Sequence, residues 1–158
     1  MGINALIIAV DNSKGCLKAV DFALENFTKG YTYHLLHIQT HPIAPLFVVG
    51  NADAAGLASE GQLRFDKERD DASQEFMTRF FIPKASSAGA EVIATMLHSD
   101  PDGSNDIGAA ICNYVEKHKP VALLMMKHSK SALARFFLGS VTRYCAIHCH
   151  ASVIIVPA

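Results

Sequence analysis

No apolar run in the 158-residue sequence approaches the roughly 18 residues that a membrane-spanning helix requires. No charged-then-apolar leader precedes the first apolar run, so a cytoplasmic protein with neither membrane span nor signal peptide is expected. The four cysteines, Cys16, Cys112, Cys145 and Cys149, include no CxxC pair. They fall within helical patterns and read as reduced, packed thiols. Neither GxxxxGK[ST] nor GxSxG occurs, which excludes a P-loop NTPase and an α/β-hydrolase nucleophile elbow. Internal repeats, low-complexity tracts and linkers are also missing. Acidic residues stop at Glu116: residues 117–158 carry six Lys and Arg and no acid, whereas residues 1–116 hold all fifteen acids against eight bases. A net charge of −1 hides this asymmetry. It reads either as chance, interleaved by folding, or as a positive rim around an anion site. The basic segment lacks interleaved aromatics and the whole chain is not basic, so nucleic acid fits poorly as a partner.

What is present suits one domain over residues 1–158, with half the residues hydrophobic and a full core to bury. Two continuous apolar runs, Ala5–Val10 and Val121–Met126, have the length and composition of strands buried on both faces. Asp11-Asn12-Ser13 ends the first with turn and capping side chains, and a helix follows with Cys16, Ala19, Val20, Ala23, Leu24 and Phe27 at helical spacing. Gly30 closes it, and Tyr33–Gln39 is the next strand. Thr40–Gly61 shows no clear period and reads as a long functional or mobile loop. Arg64–Ile82 reads as a helix with Phe65, Ala72, Phe76 and Phe80 as its buried stripe, ended or kinked by Pro83. Glu91–His98 is a third strand. A helix capped by Ser104 or Asn105 carries Ile107, Ala110, Ile111, Tyr114 and Val115. A last helix, Ser140 to about His148, precedes the final strand Ser152–Val156.

Five strands alternating with four helices imply an α/β fold with a doubly wound parallel sheet, in which ligands sit outside the carboxyl ends of the strands where the winding reverses. The strands ending at Asp11 and Met126 are the natural pair to flank that crevice. Beyond Met126 come a basic turn, the apolar patch Phe136-Phe137-Leu138, and Gly139-Ser140 with Ser140 as a helix cap. Unpaired N–H groups and the positive end of a helix dipole there suit an anion such as phosphate.

AVDNS after the first strand, LLHIQ in the second, and LARFFLGSVTRYC followed by SVIIVP give the chain a resemblance to the universal stress protein family, with its eukaryotic, plant-like members, over nearly its whole length. The resemblance implies a five-stranded, adenine-nucleotide alpha-hydrolase-like fold of strand order 3-2-1-4-5. It also implies a stress-response role through binding and through a homodimer formed by residues 152–156. The ligand it implies is ATP or AMP, with a divalent cation only alongside the nucleotide. By the same resemblance Ala9, Val10 and Asp11 face the ribose and base, and Ile38 flanks the adenine. Ser129, Gly139, Ser140, Val141 and Thr142 surround the phosphates, with Lys127 and Lys130 supplying charge. Nucleotide-binding members carry Gly-x2-Gly-x9-Gly-Ser/Thr; here Met126 and Ser129 stand at the first two glycines. A residue other than glycine forced into left-handed geometry costs roughly 1–2 kcal/mol. A dimeric scaffold with a vestigial crevice is therefore the alternative.

Cys145-Ala-Ile-His148-Cys149-His150 is the one metal-like cluster in the sequence. It reads first as packing at a helix end, with metal binding or redox sensing as the other readings. Asp11 reads as a ligand-contacting or turn-capping residue rather than a catalytic acid, and His37 as a satisfied core histidine. No catalytic residue is assigned, slow nucleotide hydrolysis being the most that is expected.

Overall fold

The computed structural model describes residues 4–40, 52–99, 104–127 and 139–157. Strands β1 (Asn4–Val10), β2 (Tyr31–Thr40), β3 (Glu91–Ser99), β4 (Ala122–Met126) and β5 (Ser152–Val156) form one sheet. Every pairing is parallel and the order is β3-β2-β1-β4-β5, as the resemblance implied. A parallel neighbour requires a helical crossover, and the helices divide between the two faces. After a 3₁₀ turn at Lys14–Cys16, α1 (Leu17–Asn26) packs on one face. So does the helical path of α2 (Ala52–Phe76), a π-helical turn (Met77–Phe81) and α3 (Ile82–Ser86). Helices α4 (Ser104–His118) and α5 (Ser140–His148) cover the other. Alternation along the central strands feeds both cores: Leu6, Ile8 and Leu124 point one way, Ile7, Leu123 and Met125 the other, and all are buried.

Three expectations need correction. Residues 52–61 are helical rather than loop, placing Gly56 and Gly61 inside α2; residues 41–51 lie outside the described residues, as does the expected turn at 100–103. The stripe on α2 is also displaced. Phe65 is 65% exposed and Ala72 is exposed, while Phe76 and Phe80 are half-buried. The buried positions are Ser73, Met77, Phe81 and Ala85, one every four residues. The π turn explains this spacing, because a helix widened beyond 3.6 residues per turn keeps every fourth side chain in line. Pro83 is the third correction. It sits in the first turn of α3, where its missing N–H costs nothing, and the helical path runs on to Ser86. The π turn just before it relieves the clash between the proline ring and the preceding carbonyls.

Candidate functional site

The register of the sheet opens the crevice. β1 pairs with β2 as far as Val10↔His37, but its pairing with β4 reaches only Ile8↔Leu124. Beyond that point β4 stays with β5, Met126 facing Val156. The carboxyl ends of β1 and β4 therefore diverge at the place where the winding reverses.

A cavity of about 270 Å³ fills the gap. Ala9 and Val10 line it from β1, Asp11 from the turn that follows, Ile38 from β2, Met126 from β4, and Val141 and Thr142 from α5. Seven of the twelve residues read from the sequence thus meet around one space. Lys127, Gly139 and Ser140 are not part of the lining. Lys127 follows β4 directly, its N–H donating to Val156 O at 2.8 Å. Gly139, not Ser140, is the cap of α5; it makes no side-chain capping bond, and its carbonyl accepts from Arg143 N at 2.9 Å. Ser140 is instead the exposed first residue of the helix. Ser129, Lys130 and the patch at 136–138 lie outside the described residues.

Asp11 shapes the turn after β1. Its Oδ1 accepts from Ser13 N at 2.9 Å and from the Cys16 thiol at 3.1 Å. This supports the turn-capping reading, although Ser13 itself gives no side-chain cap. Burial pushes the Cys16 thiol up to about 12, with the Asp11 charge adding to the rise, so Cys16 stays protonated at neutral pH and is no nucleophile.

Beside the cavity runs a polar chain for which the sequence offered little signal. Asn12 Nδ2 donates to Ser73 Oγ at 2.7 Å, Ser73 Oγ donates to Gln39 Oε1 at 2.8 Å, and that oxygen lies 3.2 Å from His37 Nε2. His37 Nδ1 donates to Val10 O at 3.0 Å, since a carbonyl can only accept. His37 is buried and bonded through Nδ1, as expected of a core histidine, with Nε2 set beside Gln39 Oε1. The chain ties α2 to β2 and β1, and it bounds a second cavity of about 230 Å³ that shares His37 and Ile38 with the first. Ile107 and Ile111 of α4 also line the crevice. Their four-residue spacing marked them as core, and nothing in the sequence separates an apolar wall from a core.

Met126 settles one question about the altered glycine pattern. It lies in extended β4, is 5% exposed, and has no left-handed backbone. At this position the change from glycine adds side-chain volume to the crevice floor and brings no strain.

Fold and crevice together define a doubly wound α/β protein with a cleft at its topological switch point. The universal stress protein family profile matches residues 3–157, and the chain belongs to that family. Among solved structures, the hypothetical protein MJ0577, whose biochemical function was assigned from structure, superposes with TM-score 0.74 at 15% identity, covering 100% of this chain and 98% of that one. A universal stress protein family protein from Arabidopsis thaliana with AMP bound gives 0.60 at 20% identity, covering 98% and 90%. The universal stress protein from Archaeoglobus fulgidus in complex with dAMP gives 0.55 at 17%, covering 98% of each chain. Such low identities speak to the fold alone. No curated protein matches the sequence.

Proposed function

We propose that this chain is a stress-response protein that binds an adenine nucleotide, ATP or AMP, in the crevice and acts as a homodimer. The convergence of Ala9, Val10, Asp11, Ile38, Met126, Val141 and Thr142 on one cavity carries this reading. At about 270 Å³ the cavity falls just below the usual range of ligand pockets, so it suits a nucleoside whose phosphates project beyond it. Those phosphates would lie toward Gly139, Ser140 and Thr142 at the start of α5, where unpaired N–H groups and the helix dipole favour an anion. Lys127 and Lys130 add charge, and a divalent cation would come only with the nucleotide. β5, an edge strand of apolar residues, is the surface proposed for the dimer. Relatives with AMP and dAMP bound support the nucleotide reading.

One observation favours the alternative of a scaffold with a vestigial crevice. The Met126 side chain occupies the crevice floor where nucleotide-binding members have glycine. Calorimetric titration of ATP and AMP separates the two. The nucleotide reading expects weak, salt-sensitive binding by the natural protein. It also expects a gain of about tenfold or more in the double variant Met126→Gly/Ser129→Gly, on the scale of 1.4 kcal/mol per tenfold. Removing a buried methionine side chain costs about 2–5 kcal/mol, so folding of the variant is checked by its melting curve. Silence from both proteins at millimolar nucleotide assigns the chain to the scaffold class.

A further inference from the structure

Helices α4 and α5 approach closely because position 108 is glycine. A Cβ there would meet Tyr144 Cδ1 at 2.5 Å and Tyr144 Cβ at 3.0 Å. One turn further along α4 the same approach sets Cys112 against Cys145 and Cys149, which lie four residues apart on α5 and its C-cap. Cys112 Sγ is 2.6 Å from Cys149 Sγ, and the three sulfurs all lie within 4.8 Å of one another. The sequence pattern had grouped Cys145 and Cys149 with His148 and His150. Folding brings in Cys112 from another helix instead, and neither histidine joins the cluster among the described residues.

From this geometry we infer that Cys112, Cys145 and Cys149 form a three-sulfur site for a thiophilic d¹⁰ metal ion, zinc or monovalent copper. Two observations converge on a cation. First, metal–sulfur bonds of about 2.3 Å hold ligand sulfurs roughly 3.8 Å apart, within the 4.8 Å span of this cluster once the close Cys112–Cys149 pair opens, and thiolate ligands select these metals. Second, Cys149 caps the C-terminus of α5, the negative end of the helix dipole, where positive charge is favoured. Binding displaces the thiol protons to solvent, with no change of oxidation state. A Cys112–Cys149 disulfide would use two sulfurs and leave the third idle. Cys145 is fully buried, and Cys112 and Cys149 are half-buried, so the site is firm at its base and open to an incoming ion.

The test uses the full chain, reduced and stripped of metal. Zn²⁺ is titrated against a chromophoric chelator, and Cu⁺ is titrated anaerobically against bicinchoninate, with native mass spectrometry giving stoichiometry. Expected is one ion per chain in at least one arm, the arm with retention naming the metal. Co²⁺ substituted in a zinc site should show sulfur-to-cobalt charge-transfer absorption. Cys112→Ser, at a half-buried position and still folded by its melting curve, should weaken retention at least about tenfold, as loss of a metal-orienting group does. Cys149→Ser, at the other half-buried position, serves as the second variant with the same expected loss. No retention of either ion, unchanged affinity in folded Cys112→Ser, or a Cys112–Cys149 disulfide whose reduction yields no metal uptake overturns the proposal.

Discussion

Gly108→Ala is the sharpest probe of the α4–α5 contact, because two known effects oppose each other there. Alanine in place of glycine inside a helix gains roughly 1 kcal/mol in propensity. Against this, the new methyl would sit 2.5 Å from Tyr144 Cδ1, 2.8 Å from Cγ and 3.0 Å from Cβ. Turning the Tyr144 ring can relieve the first two contacts but not the third, since Cβ is fixed to the backbone of α5. The ring is also held by packing on His148, 4.3 Å away between centroids. Relief therefore requires moving a helix, and overpacking of this kind costs about 1–3 kcal/mol. The net expectation is a loss of up to about 2 kcal/mol, or up to about 8 °C in melting temperature for a domain of this size. A double-mutant cycle with Tyr144→Ala isolates the cause. With the ring gone, the contacts to Cδ1 and Cγ vanish and only the 3.0 Å contact to Cβ remains, so Gly108→Ala should cost clearly less than it does with Tyr144 present. Thermal and urea unfolding of the four proteins measures the coupling. If Gly108→Ala raises stability with Tyr144 present, the helices are not in the close contact described.

Acid should weaken the fold through His34. This histidine is buried, 3.0 Å from the Tyr114 hydroxyl, and its pKa is lowered first by burial and then by His118, with Glu91 opposing. Its folded value lies below the unfolded value of about 6.5, so its contribution is intact above that pH and is lost as pH falls toward the folded value. Urea unfolding between about pH 7.5 and 5 should show this slope, His34→Gln should flatten it, and an identical slope in the variant would assign the effect elsewhere. At the sheet edge, Ile154→Lys on β5 should turn a dimer into a monomer in sedimentation velocity, with melting curves confirming the fold; a natural protein that is monomeric at high micromolar concentration removes the dimer.

How much of this was legible follows from where apolar residues carry a period. The central strands were, because a parallel strand covered on both faces must be apolar throughout, and residues 5–10 and 121–126 are. Their carboxyl ends then placed the crevice, and the family resemblance supplied the seven residues found lining it. The first turns of α2 were hidden, since ADAAGLASEG offers small residues and two glycines with no apolar stripe to betray a helix. Phe65 misled because it stands at helical spacing from Ala72 and Phe76, while the π turn had shifted the buried positions to Ser73, Met77 and Phe81. Cys112 was invisible as part of a cluster because it lies 37 residues from Cys149, and only the absent side chain at Gly108 brings the two together. The chain from Asn12 to His37 is of the same kind, joining residues up to 61 positions apart.

The strand order also has a consequence for how the chain is made. β1 lies in the middle of the sheet, yet one neighbour, β2, ends at Thr40 and the other, β4, begins only at Ala122. A ribosome adding about 5–20 residues per second takes on the order of 4–16 s to cover that interval. Throughout it the nascent chain holds out the bare flank of an apolar central strand, with unpaired amides and Leu6, Ile7 and Ile8 uncovered. A protein whose family is associated with cellular stress thus passes its own synthesis with a strand that any holding chaperone, or any other nascent sheet, can seize.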